Sequence, residues 1–290
     1  MSDLDTPIDA PEERPERPER PKPRPMPQVN AIGFDELGRA FRQGLADFRR
    51  APAFGLFFGG VYVLGGWAMW WLLVVAEAPW LMLPLGVTFP LIGPFVAVGL
   101  YDVSRRLEAG EPLRWGAVLG VVFEQRRREL GWMAFVVLFV CFVWFYQVRT
   151  IMVIFLQNES FSSVGDFLEV VMTTQAGLTF LLVGTLVGGF LALVLFATTV
   201  AAIPLLLERD RDFITALITS VKAVTTSPLP MVCWGLTVTV LVMLGMLTAF
   251  LGLLVVLPVL GHATWRLYRM LVKPETPEEA GAGGGGGATA

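Results

Sequence analysis

The chain has 290 residues, of which 54% are hydrophobic and only 16% are charged, and its formal net charge is −3. Soluble globular domains usually have about 25% charged residues. The composition therefore excludes an ordinary soluble domain and indicates a membrane protein with several spans. The small net charge says little about partners, because many charges lie in the two ends of the chain and the basic residues cluster beside apolar segments.

Both ends of the chain have the composition of flexible tails. Residues 1–33 are rich in Pro, Glu and Arg, and residues 273–290 end in a run of Gly and Ala. Such sequences cannot bury a hydrophobic core. We therefore expect two disordered cytoplasmic tails around a membrane domain at residues 34–272. The first tail has no apolar stretch of the kind found in a signal peptide.

The stretch from Phe34 to Ala76 combines an amphipathic helix with an apolar segment. In the first part, FDELGRAFRQGLADFRR, basic side chains lie mainly away from one apolar helical face. That face consists of Phe34, Leu37, Phe41, Leu45 and Phe48. A helix of this kind lies on a membrane surface. The apolar segment after Pro52 is about as long as the roughly 20 residues that a membrane helix needs.

A second apolar run, from Trp80 to Val103, is interrupted by prolines at positions 84, 90 and 94. Proline removes a backbone donor and clashes with the preceding turn, so we expect this helix to be kinked or partly unwound. Asp102, Arg105 and Arg106 then indicate a return of the chain to water.

The middle of the chain has the same order of elements. A surface helix within residues 112–129 ends in three arginines and leads into a span from Leu130 to about Leu156. In the connection that follows, Ser163 and Asp166 have the spacing of a helix capping box. The next apolar helix runs from Ala176 to Leu207, with bends or close-packing points expected at Gly188-Gly189 and at Pro204.

A third segment repeats features of the first. Pro52 and Pro228 are 176 positions apart, and the same offset relates Glu36 to Asp212. It also relates Leu37, Phe41, Leu45 and Phe48 to Phe213, Leu217, Val221 and Val224. Several matches at one offset favour a repeated unit. Coincidence between two amphipathic helices is the alternative, and the middle segment has no clean register.

The distribution of charge decides the number of spans. The apolar stretch from Leu229 to Ala263 is too long for one ordinary span and just long enough for two short ones. Two spans, with a turn between Gly245 and Gly252, place all the basic clusters on one side of the membrane, as the positive-inside rule describes for the cytoplasmic side. We predict an all-α polytopic membrane protein with six transmembrane helices and both termini cytoplasmic. Its three amphipathic-helix-plus-hairpin units would cover about 34–110, 111–208 and 209–272.

A resemblance to known sequences rests on three segments: RRAPAFGLFFGG, GPFVAVGLYDVSRRLEAGEP and LPVLGHATWRLYRMLV. They resemble a family of bacterial predicted integral membrane proteins that is classified only as a domain of unknown function. The similarity extends over residues 32–272. It implies a location in the bacterial inner membrane, but the family supplies no activity and no catalytic residues.

Few residues have the pattern of a chemical site. His262 is the single histidine and has no nearby cluster of ligands for a metal, so it is either a hydrogen-bonded interfacial residue or a sensor. Asp102 and Arg105 are spaced for an ion pair, at an ordinary surface or in a gate. Cys141 and Cys233 lie in apolar runs, as expected for buried free cysteines. Without a catalytic motif we predict neither an enzyme nor a cofactor.

Two functions fit the sequence. The first is a noncatalytic scaffold or accessory protein that binds anionic lipid headgroups of the cytoplasmic leaflet or a membrane-protein partner, and no nucleic acid. Its contact residues would be Arg42, Arg49, Arg50, Arg126, Arg127 and Arg128. The alternative is a transporter or permeation component for a small neutral or amphipathic solute, with Pro90, Pro94, Thr198 and Thr199 lining the path or packing.

Overall fold

The computed structural model describes residues 25–76, 82–125, 130–157, 159 and 163–275, and this part of the chain is all-helical. Its compact unit runs from Pro27 to Pro274. The helices are α1 (Phe34–Arg50), α2 (Pro52–Val74), α3 (Met82–Ala109), α4 (Trp115–Gln125), α5 (Leu130–Leu156), α6 (Val164–Thr173), α7 (Gln175–Thr199), α8 (Ala202–Glu208), α9 (Phe213–Thr226), α10 (Pro228–Leu247) and α11 (Leu253–Leu271). Most of the two predicted tails lies outside the described residues.

Four helices in the described residues are long and apolar enough to cross a membrane. They are Pro52–Leu72, Gly131–Leu156, Gln175–Glu208, which comprises α7 and α8, and Pro228–Leu247. The expectation of an all-α protein with several membrane helices is therefore confirmed. The other two predicted spans coincide with α3 and α11, which are not among the four. Polar side chains in the second half of α11 lower its mean hydropathy.

Two helix junctions have nearly the same backbone conformation. Between α1 and α2, Ala51 has φ −133° and ψ 54°. Between α9 and α10, Ser227 has φ −134° and ψ 65°. Each is followed by a proline that begins the next helix, Pro52 or Pro228, where the missing N–H removes no helical hydrogen bond. These are the two prolines that the predicted repeat relates.

The second predicted span is one continuous helix. α3 passes through all three prolines without interruption, so the expected unwinding is wrong. It also extends beyond Val103, because the sequence DVSRRLEA is rich in strong helix formers. α3 ends at Ala109, next to Gly110 with φ +68°, a conformation that favours glycine. Asp102 and Arg105 therefore lie within the helix.

The fourth predicted span is broken near its end. α7 ends at Thr199 and α8 begins at Ala202. Pro204 cannot donate to the carbonyl of Val200, and its ring clashes there, which places the break one turn before the proline. The N–H of Ala201, freed at the break, donates to Ser220 Oγ at 3.1 Å. The bend expected near Pro204 is confirmed, whereas α7 continues through Gly188-Gly189.

The last hairpin turns within the predicted interval, because α10 ends at Leu247 and α11 begins at Leu253. Ala249 and Phe250 in this turn have φ of 53° and 68°. The carbonyl of Ala249 accepts a hydrogen bond from Trp67 Nε1 at 2.8 Å. The turn is thereby attached to the end of α2.

α11 packs along both α1 and α2. A Cβ added at Gly44 would lie 2.4 Å from the backbone nitrogen of Ala263, and one at Gly59 would lie 3.1 Å from the carbonyl oxygen of Leu253. α11 runs antiparallel to α1 and α2, because the later contact, at Gly59, is with an earlier residue of α11 than the contact at Gly44. Only glycine permits so close an approach of backbones.

The packed unit begins before the first helix. Val29 and Val272 form an antiparallel bridge, and the N–H of Asn30 donates to the Leu271 carbonyl at 2.8 Å. The N–H of Ile32 donates to Ser227 Oγ at 2.8 Å. Because these backbone groups are paired, the compact unit includes residues from Pro27 onward, which the predicted boundary at residue 33 had left out. The two ends of the unit lie side by side.

The helices contact one another in a cyclic order. α1 packs on α11, α4 packs on α3, and α9 packs on α7 and α8. α3, α8 and α11 also contact each other. Two aromatic stacks join the surface helices to neighbouring spans: Phe54 of α2 stacks on Trp115 of α4 at 4.0 Å, and Trp132 of α5 stacks on Phe213 of α9 at 5.5 Å. In both stacks, the first residue of a surface helix packs against the third residue of a span.

Candidate functional site

A buried polar cluster joins α1, α3 and α11. Asp47, Ser104 and His262 are each 1% exposed or less. Ser104 Oγ donates to Asp47 Oδ2 at 3.0 Å and lies 2.8 Å from His262 Nδ1. Arg266, one turn after the histidine, donates to both carboxylate oxygens of Asp47 at 2.8 and 3.0 Å. Four side chains from three helices thus share one hydrogen-bonded network.

The hydrogen bonds determine where the histidine ring holds its proton. The Ser104 hydroxyl has a single proton, which it donates to the Asp47 carboxylate, a group that only accepts. Ser104 must therefore accept from His262 Nδ1, so a neutral ring is protonated at Nδ1. Nε2 then has a free lone pair, and it has no hydrogen-bond partner in the described part of the chain.

This order differs from that of a hydrolase triad. In a Ser-His-Asp triad the imidazole lies between the hydroxyl and the carboxylate and removes the hydroxyl proton. Here the Ser104 hydroxyl lies between the other two groups, and its proton faces Asp47. Ser104 is also fully buried. The geometry suits a structural connection between helices, not activation of a nucleophile.

A second group of ion pairs joins the C-terminal ends of α3, α8 and α11. Arg269 of α11 donates from Nε to Glu108 of α3 at 3.3 Å and also pairs with Glu208 of α8. Glu208 accepts a further hydrogen bond from the Tyr268 hydroxyl. Arg266 Nη1 lies 3.5 Å from Glu108, which connects this group to the Asp47 network. α11 thus supplies the cations and its neighbours supply the carboxylates.

Asp102 lies in a third polar group, within α3 alone. Its carboxylate is fully buried and accepts from Arg105 Nε at 3.0 Å and from Arg106 Nε at 2.7 Å. The interpretation as an ordinary surface pair is wrong, because neighbouring helices cover the aspartate while the arginines extend from it towards solvent. Since all three residues belong to one helix, these ion pairs by themselves connect no two helices.

Residues 81–208, from α3 to α8, match the model of a family described as predicted integral membrane protein (DUF2189). This segment is similar to DUF2189. The match confirms the predicted resemblance to a family of integral membrane proteins of unknown function. It extends over a smaller part of the chain than the predicted residues 32–272. No curated protein and no solved structure matches the chain.

The DUF2189 segment contains only part of the polar network. It supplies Ser104, Glu108 and Glu208, whereas Asp47 and His262 lie outside it. The three arginines at positions 126–128 belong to the segment but lie outside the described residues. The α1 and α11 contributions are therefore properties of this chain and not of the family description.

The remaining predicted lipid contacts lie on α1. Arg42, Arg49 and Arg50 are exposed and have no side-chain hydrogen-bond or ion-pair partner among the described residues. Arg39, in contrast, pairs with Glu36. The three free arginines lie away from the face of α1 that packs on α11.

The most buried face of α1 shares only Leu37 with the predicted apolar face. Phe34 is 61% exposed, and the buried positions are Leu37, Ala40, Gly44 and Asp47. Small residues at positions 40 and 44 permit the close contact with α11 that buries the aspartate. Sequence reasoning missed Asp47, although the small-xxx-small spacing that leads to it was visible.

The predicted pathway residues of the DUF2189 segment satisfy their own hydrogen bonds. Thr198 Oγ1 donates to the Val194 carbonyl at 2.9 Å, and Thr199 Oγ1 donates to the Leu195 carbonyl at 2.7 Å. Pro94 is buried, and the side chain of Pro90 lies outside the description. A hydroxyl bonded to its own helix has no proton left for a solute.

The cysteines are free, as expected, but Cys141 is half-buried and Cys233 is exposed, so neither is a core residue. In residues 25–275, apart from the gaps in the description, no group of three or more His, Cys, Asp or Glu side chains is arranged to hold a metal ion.

Proposed function

We propose that this protein is a noncatalytic scaffold or accessory protein of the bacterial inner membrane whose surface helix α1 binds anionic lipid headgroups. The observation that supports this most directly is the packing of α1. Gly44 and Asp47 hold one face of the helix against α11, while Arg42, Arg49 and Arg50 remain exposed and unpaired. Each basic residue near an anionic leaflet contributes about 1 kcal/mol of attraction. Three of them would raise the affinity of the helix for an anionic headgroup about 100-fold.

In this proposal the chain crosses the membrane six times, with α3 and α11 as the second and sixth spans. α3 has 28 residues and is about 42 Å long, more than the roughly 30 Å of a hydrocarbon core. The bridge between Val29 and Val272 supports an even number of crossings, because it requires both ends of the unit to lie on the same side. The clustered arginines favour the cytoplasm as that side, as the positive-inside rule describes.

The six spans would form three units around a pseudo-threefold axis. The cyclic order supports this arrangement, since each surface helix packs on the last helix of the preceding unit. So do the two equivalent aromatic stacks and the two proline junctions. Repeated contacts of this kind are expected when copies of one supersecondary unit pack against each other.

The lipid-binding proposal is tested by native purification of the full chain and mass spectrometry of the lipids that remain bound. A triple variant with Arg42, Arg49 and Arg50 changed to Glu should lose anionic lipid while its helix content stays unchanged. Arg149→Glu is the matched control, since Arg149 is an exposed arginine that lies outside α1, towards the C-terminal end of α5. Equal anionic lipid on the triple variant and the unmodified chain would contradict the proposal.

Transport is the competing function, and the same preparation tests it in vesicles. The hydrogen bonds of Thr198 and Thr199 to their own helix weigh against these residues as donors to a solute. An open groove of about 550 Å³ lies on α5, lined by Tyr146, Arg149, Thr150, Val153 and Ile154, and not between α3 and α7. Movement of a small solute into vesicles, lost on changing the threonines, would favour a transporter instead.

A further inference from the structure

The stack of Phe54 on Trp115 brings two distant basic segments together. Phe54 lies in the first turn of α2, just after Arg49 and Arg50, and Trp115 begins α4, just after Arg114. The two rings are 4.0 Å apart with an interplanar angle of 25°. All three arginines are exposed, and none has a side-chain partner among the described residues. The stack thus brings the two segments that carry these three unpaired arginines to one aromatic pair.

The positive charge at this place is not balanced by the acidic residues nearest in the sequence. Asp47, just before the first two arginines, is bound to Arg266. Glu111, just before Arg114, lies 3.2 Å from Arg106. Because both carboxylates are already paired, the arginines around the stack are available to an anionic ligand from outside the protein.

Apolar surface lies directly beside these charges. Trp115 is 42% exposed and Phe57 is 47% exposed, and their rings meet edge to face at 5.3 Å. Tryptophan is common at the level of lipid headgroups, because its amphipathic ring suits the boundary between the apolar chains and water. Arginine binds phosphate oxygens in a bidentate manner better than lysine does. The combination fits a molecule with an anionic phosphate attached to an apolar chain.

We propose that Arg49, Arg50 and Arg114 form a composite site for the phosphate of one anionic phospholipid, whose acyl chain lies on Phe57 and Trp115. The site rests on the proposed lipid-binding function, because it shares two arginines of α1. It goes beyond that function by requiring α4, which supplies Arg114 and Trp115. A free phosphate ion would use the arginines but not the exposed rings.

The test uses the full chain in phosphatidylcholine nanodiscs that contain a small fraction of phosphatidylglycerol, with retained phosphatidylglycerol counted by native mass spectrometry. Arg114→Gln should reduce retention about fivefold, the effect of one lost charge. Lys222→Gln is the control, since Lys222 is an exposed cation on surface helix α9. A composite site predicts little change for the control, whereas equal reductions in both variants would show diffuse attraction and overturn the site.

The aromatic floor is tested separately. Trp115→Ala should reduce retention of phosphatidylglycerol, and Trp115→Phe should restore most of it, because phenylalanine can still stack on Phe54. Full retention by Trp115→Ala would refute the claim that the acyl chain lies on Trp115. Displacement of the lipid by millimolar inorganic phosphate as readily as by phosphatidylglycerol would also overturn it, since the site would then recognise phosphate alone.

A double variant separates this inference from the broader function. If Arg50 and Arg114 hold one phosphate, the loss in Arg50→Gln/Arg114→Gln should be smaller than the product of the two single losses. A multiplicative loss would mean two independent contacts and refute the composite site while leaving lipid binding by α1 intact. Failure of the unmodified chain to retain any phosphatidylglycerol would refute both.

Discussion

Removal of the Asp47 carboxylate tests whether the buried polar cluster holds α1 on α11. In Asp47→Ala, the Ser104 hydroxyl loses its acceptor, and Arg266 keeps only its 3.5 Å contact with Glu108. Loss of one partner from a buried ion pair usually costs about 3–5 kcal/mol. We expect about 3 kcal/mol, at the lower end of that range, because the Arg266 side chain is 14% exposed and Glu108 remains near it.

Two matched variants separate charge from shape. Asp47→Asn can still accept from Ser104 but lacks the negative charge, so it should cost less, about 1–2 kcal/mol. The pair Asp47→Leu with Arg266→Met removes both charges and should recover much of the stability, because the unpaired buried charge causes most of the loss. Recovery would distinguish an ion-pair effect from simple loss of packing.

The measurement is thermal unfolding of the full chain in detergent, combined with limited trypsin cleavage. Since unfolding of a membrane protein is often irreversible, the rate at a fixed temperature is compared along with the midpoint. Detached α1 would be cut faster at Arg42 and Arg49, which are already exposed. Unchanged midpoint and cleavage in Asp47→Ala would refute the idea that this network secures the helix.

Three further changes test other contacts that stabilise the packed unit. His262→Asn should retain more stability than His262→Gln in the unfolding assay, because the asparagine amide nitrogen can replace Nδ1; equal losses would mean that this hydrogen bond contributes nothing. Gly44→Ala should destabilise by about 2 kcal/mol, since its Cβ would meet the backbone of α11, whereas Gly116→Ala, with nothing within 4 Å, should be neutral or slightly stabilising. Asp212→Ala should cost about 1 kcal/mol by removing the cap of α9. Burial raises the pKa of Asp212, but hydrogen bonds from Thr215 outweigh it and lower the pKa below the ordinary value of an aspartate. The cap should therefore contribute its full stability above pH 4 and lose it as the pH falls through the lowered pKa. A difference in unfolding midpoint between the variant and the unmodified chain that is the same at every pH would contradict this prediction.

The order of helices was predictable because it depends on local patterns. α1 begins at Phe34 and α5 runs from Leu130 to Leu156, as the apolar periodicity indicated. Ser163 accepts from the Asp166 N–H at 3.1 Å, as its capping position suggested. Pro52 marked a junction for the same reason, since the ring restricts its own backbone and that of the residue before it.

The polar network was not predictable because burial depends on distant partners. Asp47, Ser104 and His262 are far apart in the sequence, and each is unremarkable among its own neighbours. Asp102 was expected at a surface because charged residues follow it, yet the helix continues and other helices cover it. Only tertiary contacts decide which side of an amphipathic helix faces its neighbour, and α1 buries its small residues more deeply than its phenylalanines.

The pairing of α1 with α11 has a consequence for biosynthesis. The ribosome makes α1 before all the other helices of the packed unit and α11 after them, so α1 has no docking partner until the helices between them have been made. Contacts this far apart in the sequence form late and expose unsatisfied surface in the meantime. Closure of Val29 on Val272 can occur only after α11 has been made. A prematurely terminated product would therefore leave its first helix unanchored, where proteases that remove incomplete chains could recognise it.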